Sequence, residues 1–218
     1  AAAFFGSHGL SDPEALAKIR ARASYYPSMV PSVPASYRRL MEGQVLRIGD
    51  QDWRCIAGYG HAPEHISLFC DDAKLLISGD QVLPKISSNV SVFASEPQAN
   101  PLKEWYEGLD KLMRDVPNDV LVLPSHNEPF YGLHERLDSL RSGQNSALNR
   151  LRQTLTTGPQ RIVDTFAALF HRSIGEQDAQ QLSLATGEAV ACMNFLIAQG
   201  TVEFMMDENG VAWYSTID

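Results

Sequence analysis

The spacing of apolar positions changes along the chain. Near the start it is helical: Ser11-Asp12-Pro13-Glu14 offers a capping side chain, a proline for the first turn and an acid at the positive end of the dipole. Good helix formers follow from Ala15 to Ala23, and Pro27, Pro31 and Pro34 then break the chain into an irregular connection. Tyr25, Tyr26, Met29 and Val30 are apolar residues for packing or for lining a pocket, and packing is favoured because aromatics mostly serve burial. From Gln44 the period shortens to that of strands, over 44–48, 52–57, 66–70 and 74–78, with turns at Gly49-Asp50 and Asp71-Asp72. This succession predicts a meander. Residues 83–99 carry Pro84 and Pro97 and no periodic pattern; unstructured segments of this length are often functional.

Helical spacing returns after Asn100-Pro101. Trp105, Leu109, Leu112 and Met113 form one stripe as far as about Arg114. A buried-type strand at 120–123 ends on Pro124. A second helix is predicted from about Tyr131 to Leu155, with Leu133, Leu137, Leu140, Leu148, Leu151 and Leu155 on one face and Gly143 as a break point. Strand, helix, strand and helix added to an antiparallel run predict a layered α/β domain. Gly158-Pro159 marks a boundary. Beyond it helices are predicted at 161–171, 178–184 and 187–199, then strands at 201–206 and 211–216 around Asn209-Gly210, a strong hairpin signal. Three helices and a hairpin make the pattern of a winged helix.

Composition narrows the function classes. The formal charge of -8 over 218 residues argues against a polyanionic partner, and no Lys or Arg occurs from Ser173 to Asp218 while seven acids do. Nucleic-acid binding by the C-terminal element is therefore disfavoured. The three cysteines, Cys55, Cys70 and Cys192, form no CxxC pair, so buried thiols in a reducing cytoplasm are expected. No apolar run approaches the roughly 20 residues of a membrane span. The start, Ala1-Ala2-Ala3-Phe4-Phe5, has neither Met nor a basic leader and reads as the interior of a longer protein.

The chemistry-bearing residues fall at strand ends. His61 and His65 are four apart, but Gly60 and Pro63 argue against a helix that would put both on one face. One can be a ligand and the other a hydrogen-bond partner that orients the site; alternatively both satisfy buried backbone groups. Asp80 follows the apolar run 75–77, and His126 follows Leu121-Val122-Leu123. Three such residues can meet on one rim of a sheet. Imidazole nitrogen and carboxylate oxygen suit zinc and similar divalent ions, and one carboxylate can bridge two metals about 3.5–4 Å apart. Cations so held bring water to a pKa of about 7 and polarise a carbonyl or phosphoryl oxygen. Asn89 is a candidate donor to a developing oxyanion, against an equally plain role in its own turn. Tyr59 is a candidate for shaping the pocket, and His134 for facing it, against a favoured capping or surface role. Lys85 and Glu128 read as rim charges, and His8 and His171 as surface or core histidines.

Three segments resemble the metallo-β-lactamase superfamily: Gly60-His61-Ala62-Pro63-Glu64-His65 is similar to its GHxxGH, Ile77-Ser78-Gly79-Asp80 to its SGD and Leu123-Pro124-Ser125-His126 to its LPGH. Glu64 stands where a small residue is usual, and Ser125 where glycine is. The resemblance implies an αββα sandwich and two divalent metal ions, zinc foremost with iron or manganese as alternatives. It assigns His61 and His126 as terminal ligands, Asp80 as the bridge and His65 as an outer partner. The family's HxHxDH motif has no counterpart here. The chain is thus expected to comprise a helical insertion (1–40), the second half of the sandwich (41–157) and a C-terminal winged helix (158–218), as in the glyoxalase II-like branch. The implied activity is hydrolysis of an ester, thioester or phosphodiester by metal-activated water, with a small acyl or thioester substrate favoured. This chain alone is expected to bind metal weakly, to be inactive and to associate as a homo-oligomer. The competing expectation is a non-enzymatic scaffold whose winged helix mediates assembly.

Overall fold

The computed structural model describes residues 2–21, 30–170, 174 and 178–217. Tyr25, Tyr26, Met29 and His171 lie outside the described residues. The chain divides into two compact units, one of residues 38–90 and 101–144, the other of 1–37, 91–100 and 145–218.

The first unit holds a five-stranded sheet in the order β1-β2-β3-β4-β5, with β1 Val45–Ile48, β2 Gln51–Gly58, β3 His65–Cys70, β4 Leu75–Gly79 and β5 Leu121–Pro124. The first four strands form the antiparallel meander expected from their short turns, whereas β5 lies parallel to β4, with Ile77 opposite Leu123. A parallel neighbour requires a crossover, and helix α3, Pro101–Asp115, lies within it and packs on β2. Its stripe buries Leu102, Trp105, Leu109 and Leu112, each about 2 % exposed or less. Each such burial stabilises by roughly 1.5–3 kcal/mol before entropy is counted. Cys55 and Cys70 are buried thiols, as expected.

The register puts three loops at one end of the sheet. Gly58 faces His65, so the turn 59–64 closes there, and β4 and β5 run parallel and finish side by side at Gly79 and Pro124. His61, Asp80 and His126 each lie just past such a strand end. Residues 80–100 contain neither helix nor strand, as their composition predicts.

Helix α4, Leu133–Leu155, is unbroken at Gly143. A Cβ added there would meet nothing within 4 Å, so the glycine sits on an open face and only weakens the helix locally. In the second unit, α1 is Ala2–Ser7 and α2 is Pro13–Ala21. Asp12 supplies the cap of α2 through bonds from the Ala15 and Glu14 amides at 2.9 and 3.3 Å. The helix predicted at 161–171 is a 3-10 turn, Ile162–Thr165, followed by the single turn α5, Phe166–Leu169. The two helices predicted at 178–184 and 187–199 are one, α6, Ala179–Ala198, capped by Asp178. Gly187 is interior because Ser91 packs on it; a Cβ would stand 2.8 Å from Ser91 Cβ. At twenty residues α6 is long and apolar enough to cross a membrane, which corrects the expectation that no run reaches that length. More than half of it is buried inside the unit, as in a core helix. Strands β6, Val202–Met206, and β7, Ala212–Thr216, pair as the predicted hairpin. Gly210 has φ +74°, and Asp207 organises the turn by accepting from the Asn209 and Val211 amides and from Trp213 Nε1.

Candidate metal centre

Asp80 is the residue on which the strand-end loops converge. His61 Nε2 lies 3.4 Å from its Oδ2 and His126 Nε2 lies 3.3 Å from its Oδ1. The His61 and Asp80 side chains are about a third exposed, at 29% and 31%, and that of His126 is 61% exposed. The site is therefore open to water from the His126 side.

Local backbone geometry explains the placement of His61. Gly60 has φ +91°, and a Cβ there would sit 2.5 Å from the Pro101 carbonyl oxygen and 2.6 Å from Trp105 Cβ. Only glycine allows the loop to turn this tightly against α3. His61 Nδ1 lies 2.7 Å from the carbonyl oxygen of Asn89. A carbonyl only accepts, so Nδ1 carries a proton, and Nε2 is the nitrogen turned towards Asp80.

The Asp80 main chain is also held. Its N–H donates to His65 Nε2 at 3.2 Å, and its carbonyl accepts from Ser88 Oγ. Burial lowers the pKa of His65, His61 adds in the same direction, and Asp80 opposes it. A neutral His65 is what accepting an amide proton requires. Gly79, at φ +52°, makes room for that ring, since a Cβ would stand 2.4 Å from His65 Nε2. The Asp80 carboxylate accepts a further bond at Oδ1 from Ser125 Oγ, and the Ser125 N–H donates to the Gly79 carbonyl at 3.2 Å.

The donor set fits a divalent cation. With Nδ1–H committed to Asn89, His61 turns Nε2 towards a carboxylate oxygen, and these two acceptor atoms in contact need a proton or a cation between them. An imidazolium–carboxylate hydrogen bond closes to about 2.7–2.9 Å. The observed 3.3 and 3.4 Å separations instead match the edge of a tetrahedron with metal–ligand bonds of about 2.0–2.1 Å. Among the described residues, no three His, Cys, Asp or Glu side chains close on one point as a ready-made cage. The arrangement is two pairs sharing Asp80, one on each oxygen.

The structure thus brings His61, Asp80 and His126 together, with His65 behind them. Asn89 reaches the site through its main-chain carbonyl. His134 faces elsewhere, its ring bonded to the Val116 carbonyl at 2.8 Å. His8, read as a surface or core residue, is buried against Tyr214. Sequence reasoning missed Ser88 and Ser125 as holders of Asp80, although Ser125 is adjacent to His126. It also missed Arg39, whose guanidinium grips the Glu64 carboxylate through two nitrogens, with Nε at 3.1 Å, and ties the 38–44 segment to the histidine loop.

Comparison with known proteins bears on the family and the fold. Residues 6–126 match the model of the metallo-beta-lactamase superfamily, and residues 148–217 match that of the metallo-beta-lactamase-like C-terminal domain. A crystal structure of a beta-lactamase domain protein from Burkholderia ambifaria is 42% identical with a TM-score of 0.91, covering 98% of this chain and 60% of that one. A metallo-beta-lactamase family protein from Thermus thermophilus, 24% identical with a TM-score of 0.71 over 84% of this chain and 56% of its own, shares the fold. A Bacillus subtilis (strain 168) protein named Probable metallo-hydrolase YqjP is 25% identical over 193 residues, 87% of this chain and 57% of that protein. The chain thus spans a little over half the length of these relatives. The matched superfamily model covers more than half of its residues, and the chain belongs to the metallo-beta-lactamase superfamily.

Proposed function

We propose that this chain contributes part of the catalytic centre of a metal-dependent hydrolase, with His61 and His126 as terminal ligands and Asp80 as the bridge. The observation that carries this reading is His61 Nε2 facing Asp80 Oδ2 at 3.4 Å while its other nitrogen is committed to Asn89. Divalent cations, zinc foremost, would supply an acidified water near neutral pH and polarise the scissile acyl or phosphoryl group. The chain's own residues supply orientation. Asn89 fixes the tautomer and tilt of His61, His65 and Ser88 fix the Asp80 main chain, and Asp80 offers one oxygen to each imidazole. Such outer partners raise ligand basicity and affinity.

Each position keeps two of the three protein ligands usual for catalytic zinc, so weak binding and no turnover by this chain alone are part of the proposal. The larger protein would carry the remaining ligands, belong to the glyoxalase II-like branch and use residues 158–218 as a winged helix for packing. The acidic stretch from Ser173 to Asp218, which holds no Lys or Arg, supports a small acyl or thioester substrate over nucleic acid. Zinc titration of this chain followed by calorimetry, with a thioester and phosphodiester screen, tests the proposal. Weak binding is expected, lost in His61→Gln, Asp80→Asn and His126→Gln. Zinc affinity unchanged in all three variants refutes the ligand assignment, and turnover by this chain refutes its incompleteness.

A further inference from the structure

We infer that Ser125 is a positioning residue that sets cation affinity on the Oδ1–His126 side of Asp80 and leaves the Oδ2–His61 side largely untouched. This rests on the metal reading above. The two sides of the carboxylate are held differently. On the Oδ2 side the imidazole is fixed, because the Asn89 carbonyl anchors His61 Nδ1. On the Oδ1 side the described residues give the His126 ring no partner besides Asp80, and its side chain is 61% exposed. There the oxygen is fixed instead, by the Ser125 hydroxyl.

A carboxylate turns easily about its last torsion, whose well is broad. The serine hydroxyl stops that rotation from a rigid base. Its main-chain N–H is bonded to the Gly79 carbonyl at 3.2 Å, one residue past the Gly79–Pro124 pairing of β4 and β5. A serine side chain has a single torsion to a heavy atom, so its hydroxyl is placed by the sheet itself. Oδ1 keeps a second lone pair for a cation shared with His126. The glycine usual in LPGH segments cannot make this bond. The Ser125 hydroxyl therefore compensates on the His126 side for the anchor that only the His61 ring has.

The test resolves the two sides separately. Zinc is titrated into this chain carrying 13C-labelled histidine rings, and the Cε1–H signals of His61 and His126 are followed by NMR, assigned with the His61→Gln and His126→Gln variants. In Ser125→Ala the His126 curve should move to about 10-fold higher zinc, the lower end of the usual cost of removing an outer-shell partner, while the His61 curve stays within twofold. Ser125→Thr should restore the His126 curve, and the melting curve of Ser125→Ala should match that of the parent chain. Equal displacement of both curves, or of neither, overturns the role of Ser125 and leaves the metal reading standing. If neither ring responds to zinc in the parent chain, both fall.

Discussion

The contact between Gly79 and His65 allows a double-mutant test of how Asp80 is placed. In Gly79→Ala two costs arise. The residue has φ +52°, where an L side chain costs about 1–2 kcal/mol. The new Cβ would also stand 2.4 Å from His65 Nε2, so the ring must swing away. The Asp80 N–H, which is partly buried, then loses its acceptor, and an orphaned donor costs up to about 1–3 kcal/mol. The total is about 2–5 kcal/mol. In His65→Ala the second cost has already been incurred, so Gly79→Ala on that background should lose only the first. The expected coupling energy is about 1–3 kcal/mol, read from urea midpoints of the four chains at constant m-value. Additivity within about 0.5 kcal/mol would show that Gly79 is needed for its backbone angle alone and that His65 does not hold Asp80.

Two further predictions concern the second unit. Burial lowers the pKa of His8 from 6.5 to about 4; its ring lies 3.2 Å from the Tyr214 hydroxyl and edge-on to Phe4. The unfolded chain takes up the proton first as pH falls, so this contribution is complete above about pH 6.5 and declines at about 1.4 kcal/mol per pH unit until pH 4. At most about 3 kcal/mol is lost, and His8→Phe should flatten urea stability over that window. Asp178 caps α6 by accepting from the Gln180 and Gln181 amides, both at 3.0 Å, so Asp178→Ala should cost about 1 kcal/mol in thermal or urea melts.

What the sequence revealed and what it hid follow a physical division. Alternating runs and turn residues are local signals, and the strands, the hairpin at Asn209-Gly210 and the helix after Pro101 were legible from them. The meeting of His61, Asp80 and His126 at one end of the sheet was legible for the same reason, since each follows an apolar strand. Tertiary override explains the misses. Gly187 reads as a helix break, yet α6 passes through it because Ser91, 96 positions earlier (187 − 91), packs where a side chain would be. The α6 backbone also accepts at Gly187 from the Val92 amide at 3.0 Å. A glycine chosen for close approach and one chosen for chain freedom look alike in a string of letters.

The same division applies at Asp80. Its proposed ligand role can be guessed from its neighbours in sequence, but what makes it rigid arrives from three other segments. His65 holds its N–H, Ser88 its carbonyl and Ser125 its carboxylate. Each bond alone contributes about 1 kcal/mol, more where the carboxylate is involved. Their joint effect is geometric, because they fix the main chain on both sides of Cα and the terminal torsion as well. A bridging ligand needs that rigidity more than a terminal one does, since a rotation that improves one of its bonds worsens the other. Serine, a residue with little sequence signal of its own, supplies two of the three restraints, so the positions that set the site's precision were the hardest to read in advance.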